Sequence, residues 1–129
     1  MNYYITAPFK MDTKMKGLPK IIHDTAVFKH IIRNAYSDVK ILDSGKDDFY
    51  LFFIPCPTGW TVEVRINTNG QCIDLGTGDT DVLINFILWF RKITSLYTPL
   101  MLSDYEFENG IAILSTTTSE ELRTYLQEH

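Results

Sequence analysis

Trp60-Thr61-Val62-Glu63-Val64-Arg65-Ile66, followed after Asn67-Thr68-Asn69-Gly70-Gln71 by Cys72-Ile73-Asp74-Leu75, carries the strongest structural signal in the chain. Trp60, Val62, Val64 and Ile66 alternate with Thr61, Glu63 and Arg65, the period-2 pattern of a strand with one face buried. Asn-Gly is the preferred pair for a two-residue type I′ turn, because both central positions need positive φ. A turn closed at Asn69-Gly70 sets Ile66 opposite Ile73 and Val64 opposite Leu75 on one face, and Arg65 opposite Asp74 on the other. Apolar pairs inside and opposite charges outside are what a correct register gives. A slip of one residue would turn all four apolar residues of the first strand to solvent, so other registers are costly.

Upstream, residues 49–54 (Phe-Tyr-Leu-Phe-Phe-Ile) form a continuous apolar run, read as a strand buried on both faces, and Pro55-Cys56-Pro57-Thr58-Gly59 turns the chain back. The result is a three-stranded meander. Downstream, Asp79 or Thr80 caps a helix over 82–93 that is apolar almost all round, with Asp81 in its first turn and Arg91 and Lys92 at its last. Such a helix must be covered on several sides, as a central core element or as part of an interface. Residues 99–104 and 111–114 read as two more strands. A tight turn at Asn109-Gly110 would oppose Glu106 to Ile113, so a longer acidic link over 105–110 is expected. Thr118-Ser-Glu-Glu121 is a capping box, and Leu122, Tyr125 and Leu126 stripe a short final helix.

The first third reads as a strand over 2–7, an exposed loop over 10–20 and a helix over about 24–36. Asp24 caps that helix, and Val27, Phe28, Ile31, Ile32 and Ala35 fall on one stripe, with His30 and Arg33 turned away. The expected fold is therefore α+β: a single domain over residues 1–129 with a mainly antiparallel sheet, a central apolar helix at about 82–93 and two further helices.

The net charge of −4 conceals a split. Residues 1–46 carry eight Lys or Arg against four Asp, whereas residues 47–129 carry four basic against twelve acidic residues. Nucleic-acid binders show a basic surplus because phosphate neutralisation supplies most of their affinity, so nucleic acid is not the expected partner. An acidic half suits a basic protein partner. The longest apolar run, 82–90, falls far short of the ~20 residues of a membrane span. No export signal is read at the N-terminus, so the expected location is the cytoplasm, with Cys56 and Cys72 as free thiols.

Chemistry-bearing patterns are sparse. Cys56, Cys72, His23, His30 and His129 have no metal-ligand spacing. Gly76-Thr-Gly78 precedes a helix, but it lacks a third glycine, and Asp79 and Asp81 would repel a phosphate there, so it reads as a turn and cap. No Gly-x-Ser-x-Gly elbow or recognised cysteine-nucleophile context is present. No cofactor is expected, and the expected protein is not an enzyme. The surface singled out is Asp104-Tyr105-Glu106-Phe107-Glu108, which mixes aromatics with carboxylates on a loop; Asp104, Tyr105, Glu106 and Glu108 are the first candidates for partner contact, Asp47 and Asp48 the second.

The run Asp81-Val-Leu-Ile-Asn-Phe-Ile-Leu-Trp-Phe-Arg91, then Pro99-Leu-Met-Leu-Ser-Asp-Tyr105 and Thr116-Thr-Thr-Ser-Glu-Glu-Leu122, resembles small bacterial immunity proteins of contact-dependent and other polymorphic toxin systems. The resemblance spans about residues 79–126. It implies a non-catalytic cytoplasmic protein that binds and occludes a cognate toxin, such as a nuclease. The alternatives are a ligand- or protein-binding module of other specificity and a small hydrolase or nuclease.

Overall fold

A computed structural model describes residues 2–9, 17–37, 39–43, 49–67, 69–76, 78–104 and 109–129. Strands β1 (Asn2–Thr6), β2 (Lys40–Asp43), β3 (Phe49–Pro55), β4 (Thr61–Asn67), β5 (Cys72–Gly76), β6 (Leu100–Ser103) and β7 (Ile111–Ile113) form one antiparallel sheet in the order β2-β3-β4-β5-β1-β6-β7. Helices α1 (Thr25–Ala35), α2 (Thr80–Ile93) and α3 (Ser119–Glu128) complete the α+β fold. β1 lies between β5 and β6 and joins the meander to the β6–β7 hairpin.

The register of β4 against β5 is the expected one: Ile66 faces Ile73, Val64 faces Leu75 and Arg65 faces Asp74. The turn chemistry differs. Asn69 does not take a positive φ, and Gly70 alone does, at 75°. The Gly70 N–H donates to Asn67 O at 2.9 Å, and the Asn69 carboxamide accepts from Gln71 N at 3.1 Å. A wider loop thus replaces the two-residue type I′ turn while conserving the pairing. Gly70 is needed for a second reason. Its carbonyl accepts from both Ile21 N and Ile22 N, at 2.8 and 3.0 Å, and a Cβ there would lie 2.0 Å from Ile22 O.

One face of the sheet holds the core. Tyr3, Ile5, Tyr50, Phe52, Ile54, Val62, Val64, Ile66, Ile73, Leu75, Leu100, Leu102 and Ile113 pack there under Phe28 and Ile32 of α1, five buried apolar residues of α2, and Leu122 and Tyr125 of α3. Phe86 of α2 contacts Phe52 at 5.9 Å between ring centroids and stacks on Phe90 at 6.4 Å. Three expectations need correction. β3 is not buried on both faces: Tyr50, Phe52 and Ile54 are inside, but Phe49, Leu51 and Phe53 stay half-exposed because the helices among the described residues pack on the other face. Trp60 is 73% exposed, since the strand begins only at Thr61 and the preceding turn carries the indole outward. Val27 and Ile31 are exposed at 52% and 37%, because α1 meets α2 through Phe28 and Tyr36, and only Phe28 and Ile32 of the five-residue stripe are buried.

Asp79 caps α2, accepting from Asp81 N and Val82 N. The helix ends on an unforeseen device. Arg91 is buried, and its guanidinium donates to Ser95 O (2.6 Å), Thr98 O (3.0 Å), Ile113 O (3.2 Å) and Thr94 O (3.3 Å). Burial pulls its pKa down from the ordinary value. Carbonyl acceptors take the Nη1 and Nη2 protons, while Nε stays buried without a partner among the described residues, and these bonds lock the turn that follows the helix. That turn presents Leu96 and Tyr97, 72% and 97% exposed.

Candidate functional site

Three carboxylates, Glu120, Glu121 and Glu128, line the groove where β7 meets α3. β7 pairs with β6 on one side only and forms an edge of the sheet among the described residues. Helix α3 starts at the capping box read in the sequence, with Thr118 Oγ1 accepting from Glu121 N and Glu121 Oε1 accepting from Thr118 N. Its far end is held by Tyr3, whose hydroxyl donates to Leu126 O at 3.2 Å. Helix and edge strand enclose an open groove of about 550 Å³ with Ile111 and Ala112 on one wall and Glu120, Glu121, Glu128 and His129 on the other. The sole base of α3, Arg123, reaches across to Asp81 of α2 at 2.5 Å. The groove wall of α3 is therefore left with carboxylates, a potential that attracts Lys and Arg side chains.

Asp104 stands at the end of this groove. Its Oδ2 lies 3.9 Å from Nδ1 of His129, and the His129 ring rests on Tyr125 at 4.7 Å between centroids. Tyr125 packs in turn on Tyr3 at 6.3 Å. Burial, then the charge of Asp104 and the neighbouring Tyr3, push the Tyr125 hydroxyl up to about 12, with the Asp104 backbone offsetting part of the rise. The same two causes, burial first and Asp104 second, raise Tyr3. Both phenols remain protonated at neutral pH; Tyr3 donates to Leu126 O, while the buried Tyr125 hydroxyl has no hydrogen-bond partner among the described residues. The cluster anchors the C-terminal turn of α3 to the end of β6.

Comparison of the chain with protein-family models, curated proteins and solved structures gives no match. Chemistry must be argued from the side chains alone.

Of the six residues singled out in the sequence, Asp104 is placed beside the groove, whereas Tyr105, Glu106, Glu108, Asp47 and Asp48 lie outside the described residues. Leu100 rather than Glu106 pairs with Ile113, so the register is not that of a tight turn at Asn109-Gly110; the expected long acidic link falls on residues 105–108, which lie outside the described residues. Glu120 and Glu128 were not among the candidates. Nothing local in the sequence singles them out, and only the strand order reveals that α3 flanks a sheet edge among the described residues. No group of three or more His, Cys, Asp or Glu among the described residues is placed to hold a metal ion. No helix among them is long and apolar enough to cross a membrane.

Proposed function

We propose that this chain is a non-catalytic protein-binding module that acts in the cytoplasm as an immunity protein, engaging the basic surface of a cognate toxin and occluding it. The observation that carries the reading is the groove between β7 and α3: a sheet edge without a second strand partner among the described residues, walled by Glu120, Glu121 and Glu128, with Asp104 against His129. A strand edge offers backbone groups to an incoming extended segment, and carboxylates beside it select a segment rich in Lys or Arg. A nuclease toxin has such a basic surface in its substrate cleft. The resemblance of residues 79–126 to immunity proteins covers the elements that build this groove. Under the alternative reading of a ligand-binding module, the hollow of about 340 Å³ between α1, α2 and β3, with Ser37 and Asn85 as its polar groups, is the place a small molecule would take.

The test is surface-plasmon kinetics against the toxin domain encoded by the adjacent gene, at two salt concentrations. Asp104→Asn, Glu120→Gln and Glu128→Gln combined should slow association roughly tenfold at low salt and flatten its salt dependence, leaving dissociation nearly unchanged. Unaltered association in the triple variant would remove the groove from the contact. Failure of the adjacent product to bind the parent chain at all would overturn the immunity reading.

A further inference from the structure

Helix α3 borders the groove along its whole length, from Thr118 at its cap to His129 at its far end. It packs Leu122 and Tyr125 into the core, so it lies on the covered face of the sheet and the groove runs beside it at the margin. β7 pairs with β6 alone among the described residues, and an edge strand presents main-chain donors and acceptors to whatever enters beside it. Ile113 O is already taken by Arg91. An incoming chain therefore meets β7 through Ile111 and Ala112, the two of its residues that line the groove.

The lining itself sets what can enter. Glu120 and Glu121 stand at the cap end and Glu128 at the other, with the neutral Thr124 and Tyr125 between them. Glu120 and Glu128 are exposed and make no hydrogen bond or ion pair with the described residues, while Glu121 also serves the capping box. His129, the one lining residue able to carry a positive charge, is turned to Asp104. Glu121 and Glu128 are two helical turns apart, about 10 Å along the axis. In an extended chain, residues i, i+2 and i+4 share one face and i to i+4 spans about 13 Å, so basic side chains at i and i+4 reach the two acidic ends by leaning inward. The residue at i+2 then lies against Thr124 and Tyr125, where a small apolar side chain fits. A second copy of this chain would bring the three glutamates against their own equivalents, and a phosphate-bearing partner would meet the same charges, so neither is favoured.

We infer that a partner protein adds an extended segment to β7 as an outermost strand of the sheet, with Lys or Arg at positions i and i+4 and a small apolar residue at i+2 turned toward α3. This rests on the reading of the β7–α3 groove as the contact surface, and it specifies a main-chain ladder, where charge attraction alone would accept any basic surface. The pattern reads the same from either end, so it fits parallel and antiparallel addition alike.

The probe is a capped seven-residue peptide with Lys at its second and sixth positions, Val at its fourth and Thr elsewhere, titrated into the full chain and followed by amide NMR shifts and hydrogen exchange. Saturable shifts are expected at Ile111, Ala112 and Thr124, with slower exchange in β7. N-methylation of the three central peptide residues keeps charge and side chains but removes the ladder donors, and should weaken binding at least about tenfold. A twin with Lys at the second and fifth positions has the same charge but puts one Lys on the opposite face, and should bind about two- to fivefold more weakly, as loss of an exposed ion pair does. Glu128→Gln in the chain should weaken the first peptide by a similar factor. Absence of saturable shifts with the first peptide overturns the proposal, as do shifts centred away from β7 and α3, or equal binding of the N-methylated peptide or of the twin. Should the peptides fail while the adjacent toxin still associates more slowly with the combined Asp104→Asn, Glu120→Gln and Glu128→Gln variant, the groove reading stands and the ladder falls. Should the peptide protect β7 while that toxin does not bind, the ladder stands and the immunity reading falls. Self-association of the parent chain in sedimentation, abolished by excess peptide, would assign the edge to a second copy and overturn the partner strand.

Discussion

Replacing Arg91 by Met keeps most of the buried aliphatic stem and deletes the guanidinium that joins α2 to the 94–98 turn and to β7. Hydrogen bonds to a charged group contribute roughly 1.5–3 kcal/mol each, and the two shortest, to Ser95 O and Thr98 O at 2.6 and 3.0 Å, carry most of the effect. Ile113 O is in a buried contact, so its loss leaves an acceptor without its donor, at about 1–3 kcal/mol. Against this, removing a desolvated charge recovers several kcal/mol. The balance is a loss of about 2–4 kcal/mol. Arg91→Lys should behave similarly, because an ammonium is a point donor and cannot bridge Ile113 and the turn as a planar fork does. Urea denaturation followed by tryptophan fluorescence gives the free energies, and hydrogen exchange at Tyr97 and Thr98 reports the local opening. A Lys variant within about 0.5 kcal/mol of the parent, with protection at Thr98 unchanged, would refute the idea that the guanidinium geometry holds this turn.

Gly70→Ala should destabilise by more than about 2 kcal/mol in the same assay, since it combines a positive φ of 75° with a Cβ placed 2.0 Å from Ile22 O. Thr118→Ala removes the α3 capping box and should cost about 1 kcal/mol, read as a lower urea midpoint with an unchanged slope. Burial first, then Asp74, pushes the Cys72 thiol from an ordinary 9.0 up to about 12, so the native chain should resist alkylation at Cys72 until it unfolds, as scored by mass spectrometry. The folded state holds that proton more tightly than the unfolded state does. The stabilisation is therefore complete below pH 9 and lost as pH rises toward 12, and Cys72→Ala should flatten the fall of melting temperature over that window.

Local patterning made the elements legible. The caps at Asp24, Asp79 and Thr118 were readable because a short polar side chain before an apolar run has few other roles. The β4–β5 register followed from period-2 alternation, although the turn type did not, since Gly70 answers to the carbonyl of Ile22, a residue far away in sequence. β2 was missed: Lys40–Asp43 is a short edge strand with too few alternations to show a period. Arg91 read as a dipole partner because nothing in its neighbourhood announces that the chain after α2 folds back over it. The acidic groove was legible only in part. Charge composition marks the half of the chain that carries the groove's carboxylates, but the groove's geometry depends on β7 being an edge among the described residues, which is a property of strand order and not of any local stretch.

The placement of β1 has a consequence for how the chain is made. β1 leaves the ribosome before the other described strands, yet one of its two neighbours, β6, follows only after β5 and α2. Once β5 has emerged, β1 can pair on that side. At about 5–20 residues per second, the stretch from 77 to 99 takes on the order of seconds more, and through that interval β1 offers a bare strand edge, with Tyr4, Ile5 and Thr6 still waiting for β6. Neighbouring nascent chains on one messenger would expose the same edge at high local concentration. Codon-slowed synthesis between β5 and β6 should therefore divert product into aggregates, and chaperone demand should fall once Ser103 clears the exit tunnel and the sheet closes over its first strand.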